Sequence, residues 1–104
     1  WRIQVTGSST LSFPNVTNLR TLCYLFIHTT VTLTSTNVNQ LLADFWANRD
    51  YAKGSDEVGY RVINIAGNAA SGAPTGQGAT DKTALQGYAS PNDTGVGDWV
   101  VTTR

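Results

Sequence analysis

The sequence predicts a mixed α/β fold, a short right-handed solenoid whose strands stack into one parallel sheet with helices on one face. Three observations point there. Apolar residues at two-residue spacing recur in one frame: Leu22-x-x-Leu25-x-Ile27-x-x-Thr30, Tyr60-x-x-Ile63-x-Ile65-x-x-Asn68 and Val96-x-x-Trp99-x-Val101-x-x-Arg104, preceded by a truncated copy, Ile3-x-Val5. Alternate residues of a strand share a face, so each copy is a short strand buried on one side. The offsets between Ile3, Leu25, Ile63 and Trp99 are 22, 38 and 36 residues, which leaves room for a crossover between parallel strands. Between the second and third copies lies the stripe of an amphipathic helix.

In chain order, residues 2–6 alternate apolar and polar as a first strand, and Gly7-Ser8-Ser9-Thr10 turns the chain. Leu11, Phe13, Val16 and Leu19 surround Pro14 in an irregular or short helical return. The second strand, residues 22–29, is the most apolar, and residues 30–36 read as a polar connection. Thr36 or Asn37 caps a helix over 36–48, with Val38, Leu41, Leu42 and Phe45 at i, i+3, i+4 and i+7 and Trp46 widening the stripe. A polar loop, Lys53 to Val58, leads to a third strand at 61–66. Residues 66–79 hold four glycines and no large apolar side chain, and read as an ordered tight turn in which Asn68 bonds nearby backbone. Thr80-Asp81 caps a helix to about Tyr88, with Ala84, Leu85 and Tyr88 on one face. A turn at Ser90-Pro91-Asn92-Asp93 precedes a last strand at 98–103. Strands alternating with helices imply parallel pairing and right-handed crossovers.

Composition narrows the function. The 104 residues suit a single domain spanning 1–104, one that opens inside a strand and so reads as part of a larger polypeptide or assembly. Charged residues are 13% of the chain and the formal net charge is zero, without a Lys/Arg cluster. The electrostatic footprint of a nucleic-acid binder is missing, and an anionic membrane is an equally poor partner. No window approaches 18 continuous apolar residues, so no transmembrane helix is expected.

The side chains that could carry chemistry do not assemble into a known pattern. Cys23 is the only cysteine and lies in an apolar strand as a small hydrophobe. His28, the only histidine, is five residues away and so on the opposite strand face, which excludes a Cys–His pair. No spacing of His, Cys and carboxylates suits a metal, so no metal or cofactor is expected. Asp44, Asp50, Asp56, Glu57, Asp81, Asp93 and Asp98 are scattered over helix surfaces and loops. Gly72, Gly76 and Gly78 lack the Lys-Ser/Thr of a phosphate-binding loop. Asn15-Val16-Thr17 and Asn92-Asp93-Thr94 match the glycosylation sequon, as chance allows in a chain rich in Asn and Thr. The expectation is a protein that is not an enzyme.

The strand frames fit the leucine-rich-repeat template. The stretch Leu33-Thr-x-x-x-Val38-Asn-x-Leu-Leu42, Ile63-Asn-Ile-Ala-Gly-Asn68, Pro74-Thr-Gly-Gln-Gly-Ala-Thr-Asp-Lys82-x-x-Leu85 and Trp99-x-Val101 resembles a leucine-rich-repeat-like module of bacteriophage tail, fibre and other virion proteins. It covers about the last seventy residues. The family places a Gly directly before the Trp of the last strand, whereas here Asp98 stands between Gly97 and Trp99. The resemblance implies a virion structural or host-recognition protein located in the particle. It would act by contact with other virion subunits, with copies of itself, or with a glycan or protein of the host surface. The alternative is a bacterial cell-surface adhesin or carbohydrate-binding repeat module.

On either reading the outward strand face is the candidate interaction surface. If Leu25 and Ile27 point inward, then Tyr24, Phe26 and His28 point outward together with Arg2, Gln4, Val62, Asn64, Val100 and Thr102. Adjacent exposed aromatics on a sheet ask for a cover. The strand edges are expected to be open as well, since no charged cap is visible.

Overall fold

A computed structural model describes residues 2–5, 24–47, 49, 61–88 and 99–104, with the description of 2–5, 24 and 61 confined to the backbone. The turn at 7–10, the return around Leu11 to Leu19, Cys23, the 53–58 loop, the 90–93 turn, both sequons and the core placement of Ile3 and Val5 lie outside the described residues.

Among the described residues, four strands and two helices follow in the order β1 (Arg2–Val5), β2 (Tyr24–Ile27), α1 (Ser35–Ala47), β3 (Arg61–Asn64), α2 (Gly76–Gln86) and β4 (Trp99–Thr102). The fold is mixed α/β. Its sheet has the order β1-β2-β3-β4 with every pairing parallel. Ile3 pairs with Leu25, Leu25 with Ile63, and Ile63 with Val101. The last step is therefore 38 residues, the same as the one before it, and not 36. Trp99 pairs with Arg61, two residues below the expected position. A two-residue slip keeps every side chain on its expected face, which is why alternation alone could not detect it.

One face of the sheet is core. Leu25, Ile27, Ile63, Ile65, Trp99 and Val101 are buried in one cluster with Val38, Leu41, Leu42 and Phe45 of α1 and Leu85 of α2. The rings of Phe45 and Trp99 lie 5.7 Å apart. Trp46 and Tyr88 flank the cluster edge-to-face, at 5.5 Å. Val31 and Leu33 are fully buried too, so the stretch read as a polar connection contributes two core residues. Thr30, Thr32 and Thr34 alternate with them, a period-2 pattern continuing past the end of β2.

Both helices start earlier than expected. At α1, Thr34 is the effective cap: its Oγ1 accepts from the Asn37 N–H (3.1 Å) and donates to Asn37 Oδ1 (2.8 Å). At α2 the N-cap is Thr75, and Asp81 lies mid-helix. The two glycines of its first turn, Gly76 and Gly78, hid that start, because glycine disfavours helix on propensity.

The segment 66–75 is an ordered turn laid on the preceding one. Asn68 N–H donates to Val31 O (2.8 Å), Gly72 N–H donates to Leu33 O (2.8 Å), and Ser71 Oγ accepts from Leu33 N–H (3.0 Å). Asn68 Oδ1 accepts from Ala70 N–H at 2.9 Å. Gly67 has φ +57°, and a Cβ there would stand 2.6 Å from Val31 O, so both conformation and space require glycine. Arg104 ties the end of the chain to the same turn, donating from Nε to Ala66 O (3.2 Å) and from Nη2 to Gly67 O (3.0 Å).

Candidate interaction surface

The sheet face opposite the helices carries the side chains that alternate with the core. Phe26, Val62 and Asn64 are half-buried there, Thr102 is exposed, and Val100 is 51% exposed. Val100 is the one large hydrophobic side chain so exposed among the described residues. The parallel register arranges them in rows. Phe26, Asn64 and Thr102 are Cα partners across β2, β3 and β4, and Val62 and Val100 form the row beneath, opposite the backbone of Tyr24. Neighbours in a row are separated by one strand spacing, about 4.8 Å. The side chain of Tyr24 lies outside the described residues, so the surface rests on the other three candidates and the two valines.

His28 follows directly on β2. Its ring meets that of Phe26 edge-to-face, with centroids 6.3 Å apart and planes at 78°. The Thr30 N–H donates to His28 Nδ1 at 3.2 Å. Nδ1 is then an acceptor, so the Thr30 hydroxyl, 3.0 Å away, donates to it as well, and the ring proton of neutral His28 resides on Nε2. His28 is thus oriented by its own turn. Asn64 is also held locally: its Oδ1 accepts from Ala66 N–H at 3.3 Å, ending β3. The structure places Phe26, His28 and Asn64 together on this side. The Asn64 oxygen is engaged by the backbone of its own strand end.

Phenyl and isopropyl groups supply apolar area on this face, and one amide and one imidazole supply polar points. Among the described residues no group of three or more His, Cys, Asp or Glu side chains comes together. No helix there is long and apolar enough to cross a membrane.

Two carboxylates are not where the sequence suggested. Asp44 and Asp81 are both only 4% exposed and do not lie on solvated helix surfaces. Each accepts a hydrogen bond from the glutamine one turn earlier, Gln40 Nε2 to Asp44 Oδ1 (3.1 Å) and Gln77 Nε2 to Asp81 Oδ1 (2.9 Å). The same Gln-x-x-x-Asp spacing thus serves both helices. Asp81 lines a groove of about 310 Å³ between them, with Asn39, Gln40 and Ala43 of α1 facing Thr75, Gln77 and Gly78. Asn39 spans the top of it: Nδ2 donates to Thr75 Oγ1 and Oδ1 accepts from Thr75 N–H, both at 2.9 Å. This helix–helix seam was missed at the sequence level. The available signal was Gly78, since a glycine inside a helix often marks the close approach of another element.

No family model, no curated protein and no solved structure matches this chain.

Proposed function

We propose that this chain is a non-enzymatic contact module of a bacteriophage virion, a tail, fibre or capsid-associated part built as a short right-handed leucine-rich-repeat-like solenoid. It works by packing against copies of itself or other virion subunits, with recognition of a host-surface glycan or protein as a variant of the same role. The observation that carries the contact reading is the outer sheet face, where half-buried Phe26 and Val62 adjoin exposed Val100 on the side opposite the buried cluster. Apolar surface of that kind is normally buried in a contact. The equal 38-residue steps from Leu25 to Ile63 and from Ile63 to Val101 support the solenoid reading. The virion assignment rests on the sequence resemblance over the last seventy residues. Light scattering across a concentration series tests the reading: a multimer is expected, and a chain that stays monomeric at high concentration overturns it.

A second reading has one observation in its favour. The edge-to-face pair of Phe26 and His28 beside the Asn64 amide suits a sugar ring, stacked on the phenyl group and hydrogen-bonded at its hydroxyls. It makes the chain a monomeric bacterial adhesin or carbohydrate-binding repeat. Glycan-array binding that is lost in Phe26→Ser, with a monomeric mass, supports this alternative over assembly.

A further inference from the structure

We propose that β4 is a strand-addition edge held shut by the side chain of Gln86, and that the strand it takes when released is β1 of a second copy of this chain. The geometry follows from one backbone bond. Ile65 N–H donates to Thr102 O at 2.9 Å, so the polar groups of Thr102 face β3. In a strand these groups alternate sides, so those of Val101 face away from β3, toward the outer edge. β4 is the last strand of the sheet, and no described strand lies beyond it.

An open row of backbone groups is a template for another chain. Here its central acceptor is already occupied, because Gln86 Nε2 donates to Val101 O at 3.2 Å. That is the bond an N–H of a fifth strand would make. Gln86 is the last residue of α2, and from one turn earlier Lys82 Nζ donates to Thr103 Oγ1 at 2.9 Å. Two side chains of one helix thus clip it to the strand end. The edge expected to be open thus has a cap, an amide supported by an ammonium.

The identity of the incoming strand follows from the sheet. Its strands run in chain order and all in parallel, so its two edges are β1 and β4, pointing the same way. Bringing β1 of a second copy beside β4 extends the sheet without changing strand direction. The contact is head-to-tail, so it leaves a new β4 edge open each time and does not close as a dimer. Val100, exposed beside that edge, would be partly covered by the newcomer.

The test uses the full chain, both as wild type and as Phe26→Ser, in which the outer-face contact is weakened. Gln86→Leu removes the donor while keeping length and helix propensity, and Gln86→Lys keeps a donor. Sedimentation velocity measures association, circular dichroism checks that each variant is folded, and hydrogen exchange reads the Val101 amide. Gln86→Leu should strengthen self-association about two- to tenfold in both backgrounds, the worth of one competing hydrogen bond. It should give a ladder of sizes, with slower exchange at Val101 in the assemblies. Gln86→Lys should behave as its parent. A folded Gln86→Leu that associates no more than its parent overturns the proposal, as does a Gln86→Leu gain that vanishes in the Phe26→Ser background. Species that stop at a dimer overturn the choice of β1 as the strand. Loss of the outer-face contact in Phe26→Ser with the Gln86 effect intact leaves this proposal standing apart from the function proposed above.

Discussion

Ile65 and His28 both follow short strands, yet the structure gives them opposite surroundings. Ile65 is fully buried in the cluster between sheet and helices, whereas His28 is half-buried beside Phe26 and bonded to its own turn. Ile65→Ala should cost about 2–5 kcal/mol, lost transfer energy plus the cavity left behind. His28→Ala should cost well under half of that, and urea titration of the two variants checks the ratio. Equal losses would mean the faces of the sheet are reversed. Gly78 supplies a second residue-scale expectation. A Cβ there would run into the Asn39 side chain and stand 3.0 Å from the Asn39 Cα, so α1 and α2 would have to separate. Despite the better helix propensity of alanine, Gly78→Ala should lose about 1–3 kcal/mol in thermal or denaturant unfolding. A stabilised Gly78→Ala would show that propensity outweighs the close approach.

Elements were legible where periodicity and burial agree. In α1, Val38, Leu41, Leu42 and Phe45 are all buried, as their helical spacing implies. In β2 and β3, Leu25, Ile27 and Ile63 are buried where alternation puts them. The beginnings of the helices were less legible, because a start depends on which side chain reaches a free N–H. Thr34 does so at α1, ahead of the expected Thr36. At α2 the start is fixed from another element, with Asn39 of α1 bonding both the N–H and the hydroxyl of Thr75. Sequence spacing carries no trace of a partner 36 residues away. Asn39→Ala should therefore loosen α2 more than α1. The expected loss is about 1–3 kcal/mol for two hydrogen bonds, with faster amide exchange across residues 76–80 than across 38–45. Uniform acceleration over both helices would mean that Asn39 serves general packing and not the start of α2.

Among the described residues, the buried apolar cluster lies on one side of the sheet and the proposed contact surface on the other. Tyr24→Ser combined with Phe26→Ser should weaken assembly while leaving the fold largely intact, since Phe26 belongs to the outer face and not to the core cluster. Light scattering should show a lower mass at equal concentration, with the unfolding midpoint shifted by far less than in Ile65→Ala. A collapse in stability without a change in mass would mean that Tyr24 and Phe26 pack within the chain. The candidate surface was itself readable in outline. Alternation alone assigns Phe26, Asn64 and Val100 to the outer face, but it cannot say that Phe26 and Asn64 stand side by side, because lateral neighbours depend on register.

By itself the sequence determined the α/β class, the parallel order of strands, two helices between them and the two faces of β2, β3 and β4. These depend on local periods of 2 and 3.6 residues, which any stretch of chain carries within itself. Tertiary structure alone decided the rest. It shifted β4 by two residues to a 38-residue step, buried Val31, Leu33, Asp44 and Asp81, started α2 at a threonine held by the other helix, and closed the β4 edge with Gln86. Each of these depends on groups far apart in the chain competing for the same space or the same hydrogen bond, and that competition is settled only when the elements pack.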